Sequence, residues 1–466
     1  MKALILAAGD GGRLGNLTRN KPKALVRLLG VPLIERVILT AKQAGISRFL
    51  IVCGYCGDKL KSFLGNGKRL GVAIDYVENG DWEKGNGSSA CSARHLITEN
   101  FVLLMSDHIF DPRILSSLMS YETQSSIVLA VERKKPSHED GKVLEKNGKI
   151  IAIGKHVEPS NCVDTGIFLC TPGLFDYIPI ADSKIEFSDC VNNAAQHGDA
   201  EIFDIHHVKS YSSGMRKEIS PWWVDVDTER DLQTAERLLI ENASKNPSDA
   251  LAAYVHKPIE NKLVAFLSRF NITPNQLTIV VNILGYSVAA LYLFGFLLPA
   301  CLLSFIVGIV DGLDGKLARV KMKTSKLGSL EHSFDLLFEF SWFIALSIYM
   351  FRELNSSLAL ILTPIIILFI SFYRHVYDQF RKTSGKSLDD MGNFERKFKR
   401  IAGRRNLYNL PLLAGILLAR FYSFHALDGA LLFILLQAAM TAIVYAARAF
   451  KHLKALDEHS TPFHTD

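Results

Sequence analysis

The pattern of apolar positions divides the chain at about residue 245. In the first part, short apolar runs that suit strands alternate with longer runs of helical spacing. These runs are Lys2–Ala7, Leu33–Ala44, Arg48–Cys53, Asn100–Met105 and Ser126–Val131. Such alternation predicts a three-layer, Rossmann-like α/β domain around a mostly parallel sheet.

The second part contains repeated apolar runs close to membrane-spanning length. The runs are Leu277–Phe294, Leu297–Val310, Leu336–Phe351, Leu358–Tyr373, Leu410–Phe424 and Ala430–Ala447. They predict an all-α domain of six transmembrane helices. Residues 257–270 place their apolar side chains on one helical face, which indicates an amphipathic helix in the membrane interface or a plain linker helix. The predicted organisation is residues 1–245, a linker at 246–275, a membrane domain at 276–450 and a tail at 451–466.

The distribution of charged residues predicts how the chain is oriented in the membrane. The chain has 53 Lys and Arg against 47 Asp and Glu, a net charge of +6 that does not indicate a nucleic-acid partner. Lys and Arg concentrate between Arg374 and Arg405, so this loop is expected on the cytoplasmic side of a cell membrane. An even number of spans then places the acids near Asp311 on the same side as the N-terminal domain.

A glycine-rich turn follows the first predicted strand, in Leu6-Ala-Ala-Gly-Asp-Gly-Gly-Arg-Leu14. Backbone N–H groups of such a turn can approach a phosphate, and Arg13 can pair with it. Together with Asn20-Lys-Pro-Lys-Ala-Leu-Val26, the segment resembles the signature of the sugar-phosphate nucleotidyltransferases. The resemblance implies nucleotide binding by Gly9 and Gly11 and catalytic roles for Arg13 and Lys23, although Gly12 stands where the family usually has Ser or Thr.

Two acidic positions extend the resemblance. Asp107 ends an apolar strand, where α/β sheets keep their ligands. Asp225 stands in the metal-ligand position of the family's second acidic segment, with Asp227 nearby. A Mg²⁺ ion (or Mn²⁺) shared by Asp107 and Asp225 is expected, the alternative being two strand-end caps. His108 is expected to be a hydrogen-bonded neighbour rather than a ligand.

Three further segments resemble substrate-contacting parts of that family. Gly85 and Asn86 lie in a loop expected to contact the nucleotide base, although Gly-Asn-Gly is also an ordinary turn. Lys155 and Asp164 lie in segments expected to contact the phosphorylated substrate.

Two carboxylates and an arginine stand at the end of an apolar run, in Asp311-Gly-Leu-Asp-Gly-Lys-Leu-Ala-Arg319. Asp311 and Asp314 share one helical face, and hard oxygen ligands suit Mg²⁺ or Mn²⁺. With Gly328, the spacing resembles the motif of the CDP-alcohol phosphotransferases. That resemblance implies metal binding by Asp311 and Asp314 and nucleotide binding by the remaining motif residues, Gly315, Ala318, Arg319 and Gly328.

Beyond Gly328 the sequence departs from this family, which has Asp four and eight residues later. His332 and Leu336 occupy those positions, whereas acids stand at Glu331, Asp335 and Glu339. A shift of one residue makes Glu331 a metal ligand and Asp335 a ligand or the catalytic base. His332 is the alternative.

Arg404 and Arg405 follow in the basic loop. They are expected either to hold a phosphate group of the acceptor or to form a solvated cluster beside the membrane.

With both resemblances on one chain, the protein is similar to the fused inositol-1-phosphate cytidylyltransferases and di-myo-inositol-phosphate phosphate synthases. They imply that CTP and a phosphorylated alcohol, inositol-1-phosphate first, give a CDP-alcohol whose phospho-alcohol is then transferred with release of CMP. Membrane lipids and a second copy of the chain are the expected partners. Two alternatives are another phospho-alcohol with a lipid acceptor, and one half that serves only as an anchor or binding module.

Overall fold

The computed structural model describes residues 1–179, 184–210, 219–244, 249–323, 331–423 and 425–460, without the side chains of 331, 332, 459 and 460. Internal contacts divide the chain into two compact units. The first, called the head, consists of residues 1–211 and 219–239, and the second, called the tail, continues from Ile240.

Among its described residues, the head contains 13 strands, β1 to β13, and five complete α-helices, α1 to α5. The strands are Lys2–Ala7, Arg27–Leu28, Val31–Pro32, Arg48–Cys53, Ala73–Glu78, Phe101–Met105, His108–Phe110, Ile127–Glu132, Lys142–Lys146, Lys149–Gly154, Cys162–Cys170, Ala200–Asp204 and Trp223–Asp225. The helices are Leu33–Gln43, Gly57–Leu64, Asn86–Ser92, Pro112–Met119 and Phe187–Gln196. A sixth helix, α6 at Glu229–Ala243, begins in the head and ends in the tail.

Nine strands form one sheet in the order β5-β4-β1-β6-β11-β8-β12-β10-β9. Seven of the nine strands run in one direction, as the predicted mostly parallel sheet requires, but β10 and β11 run the other way and make half of the neighbouring pairs antiparallel. β5, β4, β1 and β6 are parallel, but β11 runs antiparallel to β6 and β8, and β10 runs antiparallel to β12 and β9. The predicted runs supplied β1, β4, β6 and β8, which read as strands because they are apolar throughout. The antiparallel partners needed long-range pairing that local pattern does not encode.

The tail is helical. Its helices α7 to α15 are Lys257–Ser268, Pro274–Leu293, Leu297–Val310, Leu313–Val320, Glu331–Leu354, Ser357–Ser384, Asn393–Phe398, Arg405–Phe421 and His425–Ser460. A π-helical turn at Ala252–His256 precedes α7. The start of α8 shows why the boundaries fall where they do, because Thr273 and Gln276 form a capping box around Pro274 at the first helical position.

Five helical segments of the described residues are long and apolar enough to cross a membrane: 274–293, 297–320 (which takes α9 and α10 together), 333–354, 357–384 and 425–458. The predicted count of six is therefore not confirmed. The remaining predicted run, Leu410–Phe424, corresponds to α14, a helix of 17 residues, and Phe424 lies outside the described residues. Helix α7 forms where an amphipathic helix is predicted, with Ile259 and Phe266 exposed on it and Phe270 exposed just beyond its end.

Candidate active sites

The loop after β1 shows why glycine is needed beside a lysine. Gly11 has a φ of +70°, and a Cβ atom placed there would lie 2.6 Å from the Cβ atom of Lys23. A side chain at position 11 would therefore both strain the backbone and displace Lys23. Gly9 has no neighbouring atom within 4 Å of such a Cβ position, so its surroundings leave room for a ligand.

Lys23 is buried at the centre of three acidic groups. Its Nζ atom donates to Asp107 and to Oδ1 of Asp227, the second at 2.5 Å. Burial lowers the pKa of this ammonium group, but the charges of Asp107, Asp225 and Asp227 outweigh it and raise the pKa well above its usual value. Lys23 is thus held as a cation in the head.

A short antiparallel ladder brings the two acidic segments together. Strand β13 pairs with β7, and Asp225 stands opposite His108 in that register. Asp107 occupies the turn between β6 and β7, and its carbonyl accepts from the N–H of Val226 at 3.3 Å. One atom from each of Asp107, His108 and Asp225 lies within 4.8 Å of the others.

The electrostatics of this triad fit a divalent cation. Oδ1 of Asp225 is buried without a hydrogen-bond partner. Burial, with the charges of Asp107 and Asp227, raises the pKa of Asp225 to about 6 against the opposing charge of His108. Burial also acts on Asp107, but Lys23 and His108 hold the pKa of that carboxyl below its usual range. A buried, unpartnered carboxylate oxygen beside a second carboxylate is a donor set that Mg²⁺ or Mn²⁺ accepts.

In the tail, the acidic motif begins where α9 ends. Asp311 is the C-cap residue of α9, directly after Val310, and Asp314 is buried in α10. Oδ2 of Asp314 accepts from the hydroxyl of Thr278 on α8 at 2.6 Å, and Oδ1 accepts from the N–H of Gly315 at 2.6 Å. The motif is therefore fastened to the first long helix of the tail.

Asp311 faces an arginine from the other end of the tail. Nη2 of Arg405 lies 2.5 Å from Oδ2 of Asp311, and the guanidinium lies over the ring of Phe338 at 5.4 Å. Oδ1 of Asp311 is buried without a hydrogen-bond partner. An unpartnered carboxylate oxygen of this kind is one donor that a divalent cation accepts.

Helix α11 adds two acids to the surroundings of Arg405. Asp335 and Glu339 are both buried, and their charges act on the Arg405 guanidinium. Oε2 of Glu339 accepts from Nη2 of Arg374 at 2.6 Å. The predicted residue Gly328 lies outside the described residues, as does the side chain of Glu331. Only one set of three or more Asp, Glu, His or Cys residues among the described side chains brings its ligand atoms together. It consists of Asp107, His108 and Asp225.

Comparison with known proteins agrees with both halves. Residues 2–242 match the Nucleotidyl transferase family, and residues 271–390 match the CDP-alcohol phosphatidyltransferase family. A protein of Aquifex aeolicus named bifunctional IPC transferase and DIPP synthase is 30% identical over 75% of this chain and 77% of its own length. This chain belongs to that bifunctional family. It is a nucleotidyltransferase joined to a CDP-alcohol phosphotransferase, and a multi-pass membrane protein.

Other members and one solved structure are also similar. The bifunctional IPC transferase and DIPP synthase of Thermococcus kodakarensis is 30% identical over 70% of this chain and 71% of its own length. The structure of the inositol-1-phosphate CTP transferase from T. maritima covers 49% of this chain and 90% of that one, at 26% identity and a TM-score of 0.43. Enzymes of both matched families generally use divalent metal ions.

The other predicted residues of the head differ in their exposure and in their contacts. Arg13 is largely exposed and pairs with Oδ2 of Asp227 at 2.5 Å. Asp164 lies beside the triad, where burial raises its pKa and the N–H of Gly166 donates to it. Lys155 is exposed after β10. Asp227, which the sequence marked only as a neighbour, is the residue that joins Arg13 to Lys23.

Gly85 and Asn86 have structural partners. Gly85 has a φ of +97° against the carbonyl of Ile185, and Oδ1 of Asn86 accepts from the N–H of Phe187 at 2.6 Å. The segment is therefore tied to the start of α5, and Gly-Asn-Gly is not an ordinary turn, because Gly85 is the N-cap of α3 and Asn86 is its first residue.

The three arginines of the tail that the sequence marks as binding residues have different partners. Arg405 joins the acidic motif, but Arg404 contacts Asp389 at 2.8 Å and the hydroxyl of Tyr445 at 3.1 Å. Nε of Arg319 donates to the carbonyl of Ala243 at 2.7 Å. A Cβ atom placed at Gly315 would lie 3.3 Å from Nη1 of Arg319, so the glycine leaves room for that guanidinium. Ala318 is half-buried on the same helix.

Proposed function

We propose that this protein catalyses two successive reactions on inositol-1-phosphate. In the first, the head joins it to CTP to give CDP-inositol and pyrophosphate. In the second, the tail transfers inositol phosphate from CDP-inositol to an acceptor hydroxyl and releases CMP. The observation that carries this proposal is the similarity to relatives named bifunctional IPC transferase and DIPP synthase, which extends through both units at 30% identity.

In the head, the buried cation Lys23 and the exposed Arg13 stabilise the negative charge of the triphosphate. Backbone N–H groups near Gly9 and Gly11 donate hydrogen bonds to phosphate oxygens, which can approach because the surroundings of Gly9 are open. Asp107 and Asp225 hold a Mg²⁺ or Mn²⁺ ion, which supplies neutralisation of phosphate charge when bound. A phosphate oxygen of inositol-1-phosphate attacks the α-phosphorus of CTP, and the bond to pyrophosphate breaks.

The remaining head residues bind and orient the two substrates. Lys155, exposed after β10, pairs with the phosphate of inositol-1-phosphate, and Asp164 accepts hydrogen bonds from its hydroxyl groups. Gly85 and the amide nitrogen of Asn86 contact the cytosine base.

In the tail, Asp311, Asp314, Glu331 and Asp335 hold one or two divalent ions, which neutralise the pyrophosphate of CDP-inositol when bound. Gly315 and Ala318 allow the cytidine to approach α10, and Arg319 and Gly328 complete the nucleotide-binding motif. Asp335 accepts the proton of the acceptor hydroxyl as that oxygen attacks the β-phosphorus, and the bond to CMP breaks.

Arg405 is the candidate for a phosphate group of the acceptor, because it already stands among the acids of the motif. Arg404 takes part only by exchanging Asp389 and Tyr445 for that phosphate. His332 remains the alternative to Glu331.

We propose the domain limits 1–245, 246–275 and 276–450 with a tail at 451–466. Both active sites lie on the cytoplasmic side of the cell membrane, and the protein is a homodimer through its membrane helices. The exposed apolar side chains of Ile259, Phe266 and Phe270 support a place for α7 among membrane lipids. Protease access in oriented vesicles tests the side, and cross-linking in native membranes tests the dimer.

The proposed function is tested with full-length protein in detergent, Mg²⁺, CTP and inositol-1-phosphate, with pyrophosphate and CMP followed separately. Release of both products supports the two reactions and identifies inositol-1-phosphate as the acceptor. Pyrophosphate without CMP indicates another acceptor, to be sought by adding lipids. If neither product forms, the assigned alcohol is wrong.

Two matched variants assign each product to its unit. Asp107→Asn should abolish pyrophosphate release but preserve CMP release from supplied CDP-inositol, and Asp314→Asn should do the reverse. A product that survives its own variant contradicts the assignment of that unit's carboxylates.

A further inference from the structure

The imidazole ring of His108 is held in one orientation by its neighbours. Nδ1 donates to the carbonyl oxygen of Thr165 at 2.7 Å, and the ring stacks on Trp223 with centroids 6.1 Å apart. The backbone of Gly166, at a φ of +70°, lies so close that a Cβ atom there would overlap the ring. Trp223 is itself anchored, because its Nε1 donates to Glu132 at 2.9 Å. The ring therefore has little freedom to turn away.

This orientation directs the second ring nitrogen at both acids of the head. When a divalent ion replaces the proton on Nε2, Nδ1 keeps the proton that it donates to Thr165, and Nε2 presents its lone pair to the ion. Nε2 lies 3.4 Å from Oδ1 of Asp225 and 3.8 Å from Oδ1 of Asp107. The Asp225 oxygen is the buried one without a hydrogen-bond partner.

Both separations suit neighbouring ligands of one ion. Protein ligands lie about 2.0–2.2 Å from small divalent ions, so neighbouring ligand atoms lie roughly 3–4 Å apart. A histidine that binds metal commonly donates its other N–H to a backbone carbonyl, which fixes the tautomer. His108 has that arrangement with Thr165.

We propose that His108 is a third protein ligand, through Nε2, of the divalent ion held by Asp107 and Asp225. The inference rests on the proposed nucleotidyltransferase function and deepens it, since it adds a nitrogen to a site otherwise built from oxygens. An imidazole nitrogen is a softer donor than a carboxylate oxygen, so it binds a transition-metal ion such as Mn²⁺ better than Ca²⁺, which takes oxygen ligands. The head is therefore selective for Mn²⁺ over Ca²⁺ because of His108.

The test is the electron spin-echo spectrum of Mn²⁺ bound to the full-length protein, which detects a coordinated imidazole through its ¹⁴N nuclei. The wild-type protein should show this ¹⁴N modulation, and His108→Asn should lose it. His95→Asn, which removes an exposed imidazole elsewhere in the head, is the matched control and should keep it. Absence of the signal from the Mn²⁺-bound wild-type protein, or its persistence in His108→Asn, overturns the proposal.

A second measurement covers the case in which His108→Asn does not fold. Mn²⁺ and Ca²⁺ are titrated separately into His108→Gln. The substitution should raise the dissociation constant of Mn²⁺ on the order of tenfold or more and leave that of Ca²⁺ nearly unchanged. Equal loss for both ions, or no loss, contradicts a nitrogen ligand and favours an imidazolium that only pairs with the two acids.

Failure of the proposed function has a different signature. A wild-type protein that shows the ¹⁴N signal but releases no pyrophosphate from CTP retains the ligand assignment and loses the function. A protein that releases pyrophosphate without the signal loses only His108 as a ligand.

Discussion

Lys23 and Asp227 are 204 positions apart in the chain, and their Nζ and Oδ1 atoms lie 2.5 Å apart. The same ammonium group contacts Asp107, so one buried cation joins the loop after β1 to both acidic segments. Asp227 also pairs with Arg13 at 2.5 Å. The two cations proposed to receive the triphosphate are therefore positioned by one carboxylate.

Replacement of Lys23 by Met removes the charge and keeps an unbranched side chain. Loss of one preorganised electrostatic contact costs about 10²–10³ in rate, so pyrophosphate release should fall by that factor. The measurement is pyrophosphate released from CTP and inositol-1-phosphate. CMP release from supplied CDP-inositol is the internal control and should be unchanged. A variant with wild-type pyrophosphate release would remove Lys23 from the mechanism.

Gly11→Ala should disturb Lys23 without altering any charge. The new Cβ atom would lie 2.6 Å from that of Lys23, and the φ of +70° costs a non-glycine residue about 1–2 kcal/mol. We expect at least a tenfold loss of pyrophosphate release, on the scale of small misplacements in active sites, and a lower temperature of thermal unfolding. Gly80→Ala is the matched control, because no atom lies within 4 Å of its Cβ position. Equal behaviour of the two variants would contradict the argument.

Much of the head could be predicted because its evidence is local. Apolar runs mark β1, β4, β6 and β8, and the strand-end position of Asp107 follows from the run before it. The pairing of His108 with Asp225 could not be predicted, since it depends on an antiparallel ladder between segments far apart in the chain. The expectation that His108 is only a hydrogen-bonded neighbour came from residue type. The direction of its Nε2 atom depends on Thr165 and Trp223.

The tail shows the same limit. Arg404 and Arg405 are adjacent in sequence and have one predicted role, but they contact different acids. Arg404 has extended backbone angles, φ −140° and ψ 156°, and Arg405 begins α14, so their side chains diverge toward Asp389 and Asp311. Charge and spacing alone identify both residues and cannot separate them.

The two proposed metal sites should respond to separate substitutions. Asp225→Asn should raise the Mg²⁺ concentration for half-maximal pyrophosphate release by about tenfold or more, because one charged ligand is lost. The Mg²⁺ dependence of CMP release from supplied CDP-inositol should stay unchanged. Asp311→Asn should show the opposite pattern. A change in both dependences from either single substitution would show that the sites are not independent.

Thr278→Val tests whether the hydrogen bond to Asp314 serves the phosphotransferase reaction. The hydroxyl donates to Oδ2 of Asp314 at 2.6 Å, and valine has nearly the same shape without a donor. A buried carboxylate that loses a donor is less well fixed, and a lost hydrogen bond to a charged group costs about 1.5–3 kcal/mol. If that loss falls on the transition state, CMP release should slow by roughly 10- to 100-fold while pyrophosphate release stays constant. Thr278→Ser restores a hydroxyl and should recover most of the rate. Wild-type CMP release in Thr278→Val would contradict a role for this hydrogen bond, whereas slow CMP release in Thr278→Ser would show that the methyl group of Thr278 also matters.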